Sequence, residues 1–300
     1  VTASHNGVNR TANVTLNPVL VSSITGSILV RNTYDASYEV TLDRAAPLPG
    51  VSVQLSSSNT GALQVPASLN IPFGLTTGDF TATTSYVPSD TVVTVSATRS
   101  GVTRTINTTV TSYGANAISA PSTVTSGMTF NGTVRIDRTA PLGGIIVNLS
   151  ATGGVNVPGS VTVLSGTTAS PYTGTAPIVA SNTNVSVTGS IGSSTVTRNF
   201  MVVPAVLQSV SVSPNPMVGN GEATVTLTFT GKVPPLRQAT IRAIRPNSVR
   251  LDVPRVVALD STQTVTTFMI SAGAVASPEK VLLQATFDGV TKSVTFGINP

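Results

Sequence analysis

Apolar residues take every second place over short stretches of this chain. In 51–57, Val51, Val53 and Leu55 alternate with Ser52, Gln54 and Ser56, the period of a strand that buries one face and wets the other. Alternation of this kind predicts strands over 37–43, 51–57, 68–71, 76–84, 92–99 and 102–109, after an opening strand near 19–30. A second set falls at 129–136, 145–150, 160–163, 185–190 and 195–202. The third set is 222–229, 238–245, 256–259, 263–271, 279–287 and 290–297.

These sets are copies of one plan. The stretch LDRAAPLPGVSVQLSS at 42–57 returns as IDRTAPLGGIIVNLSA at 136–151, with Pro47 and Pro141 standing 94 positions apart, and the same step reaches Pro235. Arg10, Arg104, Arg198 and Lys292 keep that step too. So long a period is a whole domain per repeat, since solenoid units run to about 20–50 residues. The expected organisation is the closing hairpin of an incomplete preceding repeat at 1–17, then repeats at 18–111, 112–205 and 206–300, the last one divergent. In the hairpin, His5-Asn6-Gly7 aligns with Arg99-Ser100-Gly101 as the turn. Roughly seven strands per repeat, with turn residues every 8 to 12 positions, predict an all-β array of tandem immunoglobulin-like β-sandwich domains. A closed barrel is the alternative.

Three pieces in order carry a resemblance: Ala46-Pro47 to Ser57, Val65-Pro66 to Gly74, and Gly101 to Thr105. Together they look like the tandem immunoglobulin-like or fibronectin-III-like repeats of large bacterial or archaeal cell-surface proteins. The likeness covers the first two repeats well and the third loosely, where Pro234-Pro235-Leu236-Arg237-Gln238 replaces the proline-glycine turn. These are folding motifs. The resemblance implies an extracellular stalk, filament, adhesin or surface-layer setting and brings no catalytic residue with it. Each repeated residue also has a structural reading: the prolines pre-set turns, and Val65-Pro66, Val157-Pro158 and Val253-Pro254 put proline between two short strand pieces, at an edge or bulge.

Composition narrows the function classes. Charged residues are 9% of the chain, against an ordinary ~25%. The formal charge of +5 divides into +1 for 1–17, −1 for 18–111, +2 for 112–205 and +3 for 206–300. With no Trp and no run of Lys or Arg, this is a poor match to nucleic acid. No window offers the ~20 consecutive apolar residues of a membrane helix, so insertion of this segment is not expected. Cysteine is absent, which removes thiol chemistry and leaves the compartment open.

Candidate chemistry is thin. A single histidine, His5, rules out triads and imidazole metal sites. Asp43 and Asp137 recur beside Arg44 and Arg138, but neighbours on a strand face opposite ways, so each Asp is expected to pair across strands. Asp35 with Glu39 is the nearest approach to a calcium loop, and the middle repeat holds Asp137 as its sole acid. No cofactor or metal is therefore expected. All three lysines, Lys232, Lys280 and Lys292, lie in the last repeat, so the first two repeats cannot hold a lysine-asparagine cross-link. Asn9, Asn13, Asn107, Asn131, Asn148 and Asn184 open glycosylation sequons, as many as chance supplies in a chain so rich in Ser and Thr.

Two sets of basic residues remain. Arg10, Arg104, Arg198 and Lys292 lie on the predicted last strand of each domain, and read first as gatekeepers against edge-to-edge aggregation and second as assembly contacts. In the last repeat, Arg237, Arg242, Arg245, Arg250 and Arg255 are expected to pair with Asp252, Asp260 and Glu279, while Arg242 and Arg250 are the sharper candidates for an interface to an acidic partner. Repetition without chemistry points to a structural, non-catalytic rod-like segment of an extracellular filament, stalk or surface layer, with copies of itself as partners. The competing reading is an adhesin or phage tail module that grips a cell-surface glycan or protein, for which Tyr34 and Tyr38 are the only close tyrosine pair. A third reading makes these domains spacers of a secreted hydrolase whose activity lies elsewhere.

Overall fold

The computed structural model describes Val1–Pro300 and contains strands and turns only. It forms two compact units, Val1–Tyr113 and Gly114–Pro300. The first unit begins with a hairpin, Thr2–His5 against Val8–Thr11, which makes a two-stranded sheet of its own. Asn6 and Gly7 at its turn take positive φ angles of 45° and 75°, the backbone of a two-residue hairpin turn.

Two facing sheets follow. One orders Val21–Gly26, Ala36–Leu42, Thr77–Thr84 and the short Leu63–Gln64; the other orders Leu29–Arg31, Val102–Thr111, Thr91–Arg99, Gly50–Ser57 and Ser68–Pro72. The predicted opening strand is thus two strands in different sheets. Its second part, Leu29–Arg31, runs parallel to Thr109–Thr111 of the closing strand. Proline sits where the chain changes sheets: Pro66 separates Leu63–Gln64, which pairs with one sheet, from Ser68–Pro72, which pairs with the other. A residue that cannot donate to a ladder belongs at such a break.

The plan recurs twice in the second unit. Ala115–Ser119, Thr129–Ile136 and Ala169–Thr175 face Thr123–Thr125, Ser194–Val203, Thr183–Ile191, Ile145–Ala151 and Ser160–Val163. After them, Leu207–Ser213, Glu222–Phe229, Val265–Ala272 and Leu251–Asp252 face Met217–Val218, Val290–Asn299, Glu279–Phe287, Gln238–Ile244 and Val256–Ala258. Open, two-sheeted and Greek-key in order, these are immunoglobulin-like sandwiches rather than closed barrels. Ala169–Thr175 is a strand that alternation does not reveal, because Pro171 and Gly174 interrupt it. It lies at the edge of its sheet, where a proline costs no central hydrogen bond.

Ladder registers revise the fixed step of 94. The nine-pair ladder that closes each sandwich ends at Arg99↔Val102, Ile191↔Ser194 and Phe287↔Val290. Counted from those turns, the residue equivalent to Arg104 in the middle sandwich is Val196, and Arg198 stands two residues further along the same face. Likewise the step of 94 carries Val53 and Val147 to Ile241, but Ala97 pairs with Leu55 and Ala285 with Ile241, so Ile241 matches Leu55 and Leu149. Val53 and Val147 have Ala239 as their counterpart. All of these face inward and are buried.

Register also exposes an exchange in the core. At one level the first sandwich stacks Tyr38 on Phe80, ring centroids 5.1 Å apart, beside Thr108. In the middle sandwich the equivalent three are Gly132, Tyr172 and Phe200, and in the last Val225, Phe268 and Phe296. A Cβ on Gly132 would stand 2.3 Å from Tyr172 Cζ, so the missing side chain is the room that Tyr172 fills. Polar atoms are satisfied each time: the Tyr38 hydroxyl donates to Thr108 Oγ1 at 2.6 Å, which donates to the Ser27 carbonyl, and Tyr172 donates to the Ser119 carbonyl at 2.7 Å. Burial raises the pKa of both tyrosines, so they stay protonated donors.

Val147 is fully buried on the inward face of Ile145–Ala151. Val147→Asp would bury a carboxylate with no partner, and should destabilise the middle sandwich by about 3 kcal/mol or more. Hydrogen exchange at the Val187 and Phe200 amides reads this directly. A loss below about 1 kcal/mol would mean that the inward face is assigned backwards.

Candidate interaction surfaces

The Asp-Arg doublets lie beyond the strand ends, not on the strands. Because the backbone bends there, Asp43 and Arg44 are not held on opposite faces, and they pair with each other at 2.9 Å; Asp137 and Arg138 do so at 3.0 Å. This corrects the expectation of cross-strand pairing. Each Asp also accepts a backbone hydrogen bond from the segment leading into its sandwich, Asp43 from the Leu20 N–H at 2.9 Å and Asp137 from the Gly114 N–H at 3.1 Å. Thr230 takes the same role for the Val206 N–H at 3.0 Å. The doublet is therefore a tie on the entering segment. The Arg44 guanidinium, with the Leu20 N–H behind it, holds the Asp43 carboxyl below the ordinary carboxylate range. A carboxyl with a depressed folded-state pKa contributes stability above its unfolded value of 3.8, and that stability is lost as pH falls through the lower, folded value. Amide exchange at Leu20 should accordingly stay protected at pH 4 to 7 and rise only in stronger acid.

Inside the second unit, the middle and last sandwiches are clasped through backbone. The Lys232 N–H donates to the Ser126 carbonyl at 2.8 Å. In return Ser126 Oγ donates to the Lys232 carbonyl at 2.8 Å and accepts from the Val179 N–H at 2.9 Å. Ser126 is fully buried. Glycines permit this approach: a Cβ on Gly127 would meet Lys232 Cβ at 2.6 Å, and one on Gly231 would meet the Ser126 carbonyl at 2.5 Å. Nothing in the alternation of the sequence marks Ser126, since its partner lies 106 positions away. Ser126→Ala removes two of the three bonds and orphans Val179, and should cost about 1–3 kcal/mol. Exchange should accelerate at Val179 while Lys232, bonded to a carbonyl, keeps its protection.

Arg104, Arg198 and Lys292 stand exposed on the closing strands, ahead of the residues that meet the short parallel strand. That stretch of each strand has an open edge, the place where a charge opposes further pairing. Arg104 has a second task, donating from Nε to the Ser22 carbonyl of the facing sheet at 2.9 Å. Arg10 is exposed on its hairpin, opposite Ala3.

The last sandwich carries the largest concentration of charge. Arg242, Arg245 and Arg255 line a cleft of about 450 Å³, and Arg245 and Arg250 line an adjoining one of about 670 Å³. Among its five arginines only Arg237 is in an ion pair, with Asp288 rather than with any of the expected acids. Asp252, Asp260 and Glu279 form no salt bridge with Arg242, Arg250 or Arg255. Asp260 spends its carboxylate on the Thr262 hydroxyl and N–H instead. On the first sandwich, Tyr34 and Tyr38 make no shared platform, because Tyr38 is buried in the core while Tyr34 is exposed.

No family model matches the chain, and no curated protein matches its sequence. Among solved structures it is similar to a domain tandem from titin at 8% identity and a TM-score of 0.35, covering 94% of this chain and 99% of that one. An ICAM-5 ectodomain fragment is similar at 11% identity and a TM-score of 0.31, covering 94% and 77%. An endo-fucoidan hydrolase of glycoside hydrolase family 107 is similar at 11% identity and a TM-score of 0.33, covering 91% and 42%. The strand order of the chain itself defines tandem immunoglobulin-like β-sandwiches.

Proposed function

We propose that this chain is a non-catalytic segment of an extracellular filament, stalk or surface layer, whose work is span, stiffness and self-association. The observation that carries the reading is the clasp at Ser126 and Lys232. Between the last strand of the middle sandwich, ending at Val203, and the first strand of the next, beginning at Leu207, only three residues intervene. A connection so short, tied again by backbone bonds on both sides, restricts hinge motion. Such a device suits domains that hold a distance. The motifs at Ala46-Pro47 to Ser57 and Val65-Pro66 to Gly74 support a bacterial or archaeal surface setting.

The competing reading, an adhesin or tail module binding a glycan or a host surface protein, draws on the exposed aromatics of the first sandwich, Tyr34, Phe73 and Tyr86. Tyr34 and Tyr86 offer apolar faces with polar tips, and Phe73 offers an apolar face alone. Electron microscopy of the native material separates the two. Periodic fibres or a lattice are expected, and isolated projections ending in a distinct head would replace the structural reading with the adhesive one.

A further inference from the structure

Two exposed faces of the chain carry unbalanced charge of opposite sign. On the first sandwich, Glu39 and Asp79 lie directly opposite each other on the adjacent antiparallel strands Ala36–Leu42 and Thr77–Thr84. Both are exposed. Like charges in directly opposed positions repel, and neither carboxylate has a basic group within salt-bridge distance. Around them, Thr25, Ser37 and Thr81 line a shallow hollow of about 410 Å³.

The fold does not require these acids. At the same place the middle sandwich pairs Thr133 with Pro171, and the last pairs Thr226 with Thr267. Neither does it require the arginines of the last sandwich: the residue equivalent to Arg242 is Ser56 in the first and Ser150 in the middle. Yet Arg242, Arg245 and Arg255 converge on one cleft and Arg250 extends it, with Asp252 the single acid along its walls. Arg245 donates to the Val249 carbonyl, which fixes one guanidinium at the junction of the two clefts. Each face holds charge that its own sandwich leaves unneutralised.

We infer that the two faces dock on each other between copies of this chain: the Glu39–Asp79 face of one copy seats in the arginine cleft of the next. The occupant is a second copy because the complementary charge stands on this same sequence, −1 over 18–111 and +3 over 206–300. Guanidinium forks match carboxylates in pairs, which gives such a contact direction as well as attraction. The two patches differ, so the contact is head-to-tail, and repeating it builds a ring where the rotation closes and an open filament where it does not. This inference rests on the self-association in the proposed function and names its surface.

The test is sedimentation of the full chain at about 0.05 M and about 0.5 M salt, where screening separates exposed charge contacts from apolar ones. Wild type should associate at low salt and dissociate at high salt. Glu39→Arg with Asp79→Arg, and separately Arg242→Glu with Arg255→Glu, should each weaken self-association by about tenfold or more. Mixing those two variants should restore it, since the reversed acidic face then meets the reversed cleft. Glu39→Thr with Asp79→Thr copies the last sandwich, so it should fold at least as stably as wild type and still associate poorly. Variants that assemble like wild type, or a mixture that fails to recover, would overturn this surface while leaving self-association standing. A wild-type chain that stays monomeric at low salt and high concentration would overturn the inference, and with it the self-association in the function proposed above. If association is abolished equally by a short acidic peptide that occupies the cleft, the arginine half of the contact is supported.

Discussion

Each sandwich hangs on the register of one hairpin. Nine residue pairs join its last two strands, and the turn between them is two residues long. Ser100-Gly101 and Asp288-Gly289 both take positive φ at both positions, and Gly192 does so at the first position of its turn. A turn of that kind twists with the strands and admits no slack. Slipping the ladder by one residue would turn Val93, Val95 and Ala97 outward and put Thr and Ser in the core. The strands that pack beside this ladder, Gly50–Ser57 on one side and Leu29–Arg31 on the other, take their places from it.

Tolerance elsewhere follows from that fixed frame. With the backbone held, the aromatic ring at one core level passes from the pair Tyr38 and Phe80 to Tyr172 and Phe200, and then to Phe268 and Phe296, without any change in strand order. What has to be conserved in volume is the level as a whole, because interiors are close-packed. Gly132 is intelligible only beside Tyr172. Taken alone, it would count as a weak point in a strand.

This explains what the sequence disclosed and what it withheld. Alternation in Val51, Val53 and Leu55, and the Asn6-Gly7 and Ser100-Gly101 turns, are local signals, and the strands and hairpins read from them are those of the structure. The fixed 94-residue step failed by small amounts at Arg198 and Ile241 because loops of unequal length shift each ladder independently. Ala169–Thr175 was hidden by its proline. As for the candidate surfaces, the excess of arginine in the last repeat was plain, but which acids it would meet was not, since Asp260 turns to its own loop. Glu39 and Asp79 are forty residues apart and are brought face to face only by the pairing of their strands. The clasp at Ser126 is likewise a contact of topology, with no residue type to announce it.

The short parallel strand has a consequence under load. In every sandwich it belongs to the entering segment, and its neighbour is the strand by which the chain leaves. Traction on the two ends of such a domain drags these parallel neighbours past one another in opposite directions. Their hydrogen bonds are then strained together, as in a lap joint under shear, instead of opening singly from one end like a zip. Rupture requires the whole patch to yield at once, so three or fewer ladder pairs can resist a pull far better than their number suggests, and the long hairpin behind them is shielded until they give way.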